Sequence, residues 1–146
     1  MKAFLLALAG SSLLVACKTA TIPATPALGN GQPFELVIQK STPVPVAGGG
    51  PISLLLTEVQ DSRCPSGTQC VWAGYAAVTV QLTDAAAAPQ TARITLLANN
   101  LPTHTRDSAQ VMLHQKAYWL RLLEVHPYPG TGAGQPTTAK LRLRPA

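Results

Sequence analysis

Charge is scarce in this chain of 146 residues: 12% of positions are charged, and only six residues are acidic. Eleven Lys and Arg give a formal net charge of +5. Apart from "KLRLR" (140–144) the basic residues are scattered, and no stretch interleaves them with aromatics as a nucleic-acid-binding motif would. Nucleic acid is therefore unsupported as a partner. A mild basic bias suits anionic lipid or polysaccharide without specifying either. Long hydrophobic runs are absent as well. The best candidate, Phe4 to Ala16, falls short of the about 20 residues that a membrane-spanning helix needs. Catalytic signatures are missing: there is no G-x-S-x-G elbow, no H-E-x-x-H, no phosphate-binding glycine loop and no EF-hand pattern. His104, His114 and His126 show no ligand-like spacing, and His114 and His126 read as strand-end or surface residues rather than bases. No metal site and no cofactor are expected.

What the chain has at its start is an address. Lys2 supplies a positive beginning, Phe4 to Ala16 a short apolar run with small residues, and Cys17 closes it, which describes an export signal. Leu14-Val15-Ala16-Cys17 resembles the lipobox of bacterial lipoproteins. That resemblance implies cleavage after Ala16, diacylglycerol on the Cys17 sulfur and acylation of the new amino terminus. With Lys18 rather than aspartate after the cysteine, it also implies the outer membrane in a Gram-negative host. Residues 1–16 are thus expected to be a lipoprotein signal peptide. Residues 17–33 are expected to form a lipidated, proline-rich tether with a root-mean-square reach of about 20–25 Å. A single domain is expected over 34–146.

The three cysteines divide accordingly. With Cys17 given to lipid, Cys64 and Cys70 are an even pair in an oxidising compartment, which reads as a disulfide. Their C-x5-C spacing is neither a zinc-ligand spacing nor a C-x-x-C redox pair, although a metal or redox role is the alternative. A bridge over so short a loop restricts the unfolded chain by roughly 2–2.5 kcal/mol.

From Phe34 onward the pattern is of strands. Phe34, Leu36 and Ile38 alternate with polar or exposed partners, as do Ala76, Val78, Val80 and Leu82; Ala92, Ile94 and Leu96; and Leu141 and Leu143. "ISLLLTEV" (52–59) and "AYWLRLLEV" (117–125) are more continuously apolar, as central strands are, and "VMLH" (111–114) reads as a short extra one. Gly-, Pro- and Ala-rich segments at 46–51, 83–90 and 127–136 are connections. No segment supports a long amphipathic helix. The expected fold is all-β: an antiparallel sandwich or small barrel of six to seven strands, immunoglobulin-like in architecture only.

"DSRCPSGTQCVWAG" (61–74) then connects two core strands. Counting back by twos from Val80, Val78 and Ala76 reaches Gly74, Trp72 and Cys70. That register predicts Trp72 packed on the bridge and facing the core, with Gly74 allowing a bulge. Asp61 and Ser62 are expected to cap a turn through their side chains, with Arg63 paired to Asp61 or Glu58. The set Asp61-Ser62-Arg63-Cys64-Pro65, Cys70, Trp72, Gly74 and Ala76, followed later by "YWLRLLEVHPYP" (118–129), resembles a small β-rich domain of exported bacterial proteins and lipoproteins. The resemblance covers roughly residues 34–144. It implies a fold and an address, and carries over no catalytic or ligand-binding residues. The expected function is a lipid-anchored, non-catalytic binding or structural module of the cell envelope, with an envelope protein or polysaccharide as partner. One alternative is a protease inhibitor presenting the Cys64–Cys70 loop, with Arg63 as the side chain on offer. Another is an envelope hydrolase whose pocket gathers His and acidic residues from distant strands.

Overall fold

A computed structural model describes residues 30–85, 87–98 and 107–146. The expected signal peptide, Cys17, most of the expected tether and His104 lie outside these residues. Eight strands follow one another: β1 (Pro33–Val37), β2 (Ser41–Pro45), β3 (Pro51–Asp61), β4 (Tyr75–Thr83), β5 (Gln90–Leu97), β6 (Ser108–Leu113), β7 (Lys116–His126) and β8 (Thr138–Pro145). They form two four-stranded antiparallel sheets, ordered β1-β8-β7-β6 and β2-β3-β4-β5, packed as a sandwich rather than a closed barrel. The alternating side chains meet between the sheets. Leu36, Leu54, Leu56, Val80, Leu82, Ile94, Leu120, Leu122, Leu141 and Leu143 are all nearly closed to solvent.

The strand beyond the expected six or seven is β2, "STPVP". Pro43 and Pro45 remove two backbone donors, which hides a strand from sequence patterns. They are tolerated because β2 is an edge strand bonded only to β3. Proline there also blunts the edge against pairing with another chain. The opposite edges are joined by a side chain. The Gln90 carboxamide at the start of β5 donates to the Met112 carbonyl and accepts from the Met112 amide 3.0 Å away in β6, standing in for a strand partner.

The two continuously apolar segments do occupy interior positions, and each carries a bulge. Thr57 interrupts the register of β3 on β4, and Leu123 that of β7 on β8. One extra residue reverses the inside–outside alternation. So Ile52, Leu54 and Leu56 give way to Val59, and Tyr118, Leu120 and Leu122 to Val125.

Strand β4 begins at Tyr75, not at Cys70, because Gly74 takes φ of +76°. That backbone leaves the pleat, so the period-two count does not extend through it. Gly74 is not a bulge within the strand. It is the corner by which loop 62–74 enters β4, and a Cβ there would land on the Ser62 carbonyl oxygen. Gly74→Ala is expected to destabilise the fold by about 3 kcal/mol or more, combining positive-φ strain with a backbone clash. Urea unfolding, compared with the exposed Gly67→Ala, is the measurement.

Candidate functional site

The end of the sandwich where β3, β7 and the start of β4 meet carries the motif residues. Loop 62–74 leaves β3 and returns to β4 as a narrow stem. Ser62 donates its amide (2.8 Å) and hydroxyl (3.1 Å) to the Tyr75 carbonyl, and the Cys64 amide donates to Ala73 O at 3.0 Å. Beyond the stem, Cys64 and Cys70 form a disulfide with Cα atoms 5.9 Å apart. Inside it Thr68 N bonds Pro65 O at 3.2 Å, and Gly67 at φ +76° supplies the third residue of a type II turn. "PSGT" is suited to that turn by Gly67, since the third position requires a positive φ.

Arg63 is the anchor of this loop, and its side chain is 7% exposed. Its guanidinium meets Asp61 with two bonds, Nε to Oδ1 at 2.9 Å and Nη2 to Oδ2 at 2.6 Å. Nη2 also donates to Val125 O at 2.9 Å, and the group lies 4.5 Å over the Tyr128 ring. The Asp61 carboxylate accepts the Arg63 amide as well, at 3.1 Å. The structure contains the expected Asp61–Arg63 pairing and a turn capped by Asp61, whereas the Ser62 hydroxyl caps no turn and instead bonds Tyr75 across the stem. A buried guanidinium must be answered on most of its donors to be tolerated, and here the answers come from β3, from β7 and from the loop after it. That loop opens with a cis His126–Pro127 bond and closes against the motif through Ser66 N to Pro129 O at 2.9 Å. Tyr128 is the participant that sequence reasoning missed. An aromatic between two prolines in a glycine-rich connection was its only signal.

Trp72 does not face the core. It is 64% exposed, and Val71 beside it is fully exposed. The indole meets the Tyr75 ring edge-on, with ring centroids 6.3 Å apart. The bridge itself lies at the surface, with Cys64 half-buried and Cys70 exposed. Period-two counting failed here for the reason given above: Gly74 turns the chain. Pro65 is exposed at the base of the turn. The motif thus has a structural half, Asp61-Ser62-Arg63 and Gly74, and a displayed half, Val71-Trp72.

His114 and His126 are engaged elsewhere. At the opposite end of the sandwich His114, at φ +48°, places Nδ1 3.2 Å from Asp84 Oδ2 and Nε2 2.8 Å from Gly50 O. Its amide also bonds Asp84, so three loops are tied together at one point. Both ring nitrogens face oxygens, which leaves neither turned outward as a base. His126 lies in an exposed cluster, with Nε2 3.1 Å from Glu124 Oε2 and Lys140 Nζ 3.4 Å from the same oxygen. The hydrogen bond from His126, and after it Lys140, hold the Glu124 carboxyl below its ordinary value. That contribution favours the fold above the ordinary carboxyl range and is lost as pH falls through the lowered one, but exposed pairs of this kind contribute little. Among the described residues no three His, Cys, Asp or Glu side chains converge as metal ligands. Comparison with family models, curated proteins and solved structures yields no match.

The two halves of the motif should separate on mutation. Arg63→Ala is expected to cost about 3 kcal/mol, since it removes a buried side chain, leaves the Val125 carbonyl without its donor and cuts the tie to β7. Trp72→Ala is expected to cost less than about 1 kcal/mol, as surface substitutions do. Equal losses in chemical denaturation would refute this division. Replacing Cys64 and Cys70 together with serine should cost roughly 2–2.5 kcal/mol, loop entropy alone, because the bridge is at the surface. Calorimetry should show a modest fall in Tm that does not exceed the fall for Arg63→Ala.

Proposed function

We propose that this protein is a lipid-anchored, non-catalytic binding module of the cell envelope, whose recognition surface is Val71 and Trp72, displayed on loop 62–74 just beyond the disulfide. In this reading the signal at 1–16 exports the chain, Cys17 carries the lipid and 17–33 holds the sandwich off the membrane. A surface disulfide fits an oxidising compartment. The observation that carries the binding role is the pair Val71 and Trp72, exposed side by side on a loop braced by a bridge, a buried guanidinium and a neighbouring loop. Exposed tryptophans on rigid supports are the side chains that anchor interfaces, because little conformational freedom is lost when they are covered. The inhibitor alternative loses its main support, since Arg63 is turned inward. What the loop offers is apolar.

Capture from detergent-solubilised membranes separates the parts of this proposal. Cys17→Ala should lose lipid labelling and membrane fractionation. Trp72→Ala should keep both and melt like the parent, yet capture fewer partners. Membrane association and palmitate incorporation that persist without Cys17 would exclude the anchor. Unchanged capture by Trp72→Ala would exclude the loop as the surface.

A further inference from the structure

A second surface lies on the outer face of the β1-β8-β7-β6 sheet, away from the disulfide loop. Register sets Trp119 opposite Arg144 and Arg121 opposite Arg142, all four pointing away from the buried Leu120, Leu122, Leu141 and Leu143. With Ser108 and Pro145 they line a shallow depression of about 240 Å³. Trp119 is 45% exposed.

This arrangement is poor for stability. Like charges directly opposite on neighbouring strands are destabilising. Only Arg121 has an acidic partner, Asp107 at 2.7 Å. Among the described residues no carboxylate pairs with Arg142 or Arg144. The Nε of Arg142 is closed to solvent and makes no hydrogen bond, a cost that natural structures seldom leave standing. The outer face of the other sheet shows the contrast. There Arg93 meets Gln60 at 2.7 Å and Glu58 at 3.9 Å, amid threonine and glutamine. Further along the same β7-β8 face, Lys140 is likewise answered by Glu124. The unanswered positive charge is therefore local, and it lies beside an exposed indole.

The geometry points to a binding site for an acidic saccharide, with a sugar ring laid on Trp119 and its carboxylate or phosphate held by Arg142 and Arg144. Guanidinium matches a planar oxyanion with paired donors. Trp119 supplies a flat apolar platform with a polar edge. A shallow, open depression on a sheet face admits a chain passing through rather than a small molecule enclosed. The choice of glycan over nucleic acid rests on the exported address proposed above. The site itself uses none of the Val71–Trp72 surface.

The test is titration of the full exported chain in detergent with an alginate oligomer, following tryptophan fluorescence. Dextran, inorganic polyphosphate and single-stranded DNA serve as comparison probes. Alginate should bind at low salt and dextran should not. Binding should collapse near 1 M salt, where screening acts within about 3 Å. Arg144→Gln, which changes an exposed residue, should weaken binding about tenfold, the value of one charge-assisted contact. Arg142→Gln should do the same with an unchanged or raised Tm, because it removes an unanswered donor. Trp119→Ala should weaken alginate severalfold and polyphosphate hardly at all, whereas Trp72→Ala should affect neither. Absence of alginate binding, indifference to Arg144→Gln, or tighter binding of DNA than of alginate would each overturn the assignment. The Trp72→Ala control keeps its failure distinct from failure of the loop as a capture surface.

Discussion

The Arg63 guanidinium is the constraint on which one end of this molecule depends. A charge so nearly closed to water is tolerable only while its donors are answered and its face is covered. The carboxylate of Asp61 answers two bonds, the Val125 carbonyl another, and the Tyr128 ring covers the face. These groups come from the end of β3, the end of β7 and the loop that follows, so the arginine holds segments that no strand ladder connects. The disulfide then acts on a loop whose base is already fixed. It limits the tip, whereas the arginine limits the stem.

The other end of the sandwich is built on the same logic with the sign reversed. Arg63 and Asp84 are the buried charged residues among those described. Asp84 gathers the amide and ring of His114, and His114 reaches across to Gly50, so an acid closes this end as a base closes the other. Gly49 belongs to this closure, since a Cβ on it would occupy the space of the His114 ring. Between the ends the core needs only apolar alternation, and the edges are managed by Pro43, Pro45 and the Gln90 carboxamide.

Seven of the strands were legible: β1, β4, β5 and β8 because a buried face writes a period of two into the sequence, β3 and β7 as continuous apolar runs, and β6 as a short apolar stretch. β2 was not legible, because an edge strand can afford prolines and prolines erase the signal. The Cys64–Cys70 bridge was legible from compartment and parity of cysteines. The position of Trp72 was not, because one left-handed glycine turns the chain and a periodicity carries no information across such a corner. Pairings such as Arg63 with Tyr128, or Trp119 with Arg144, depend on the topology that brings distant strands together. No local pattern announces them. "KLRLR" looked like an unremarkable amphipathic strand until its partner strand placed a tryptophan and a third arginine beside it.

That last point bears on how work is divided within the fold. A sandwich held by its core and by two charged end closures does not require its outer faces to contribute stability. A face freed of that duty can carry an arrangement that stability alone would disfavour. On the β2-β3-β4-β5 side the freedom is unused: Arg93 is answered by Glu58 and Gln60. On the β1-β8-β7-β6 side three arginines share a face with one nearby carboxylate, and a buried Nε goes unanswered. A chain with so few charges has little reason to place them against one another by accident. Electrostatic frustration confined to one patch of an otherwise well-answered structure is the kind of local breach of the stability rules that functional sites carry.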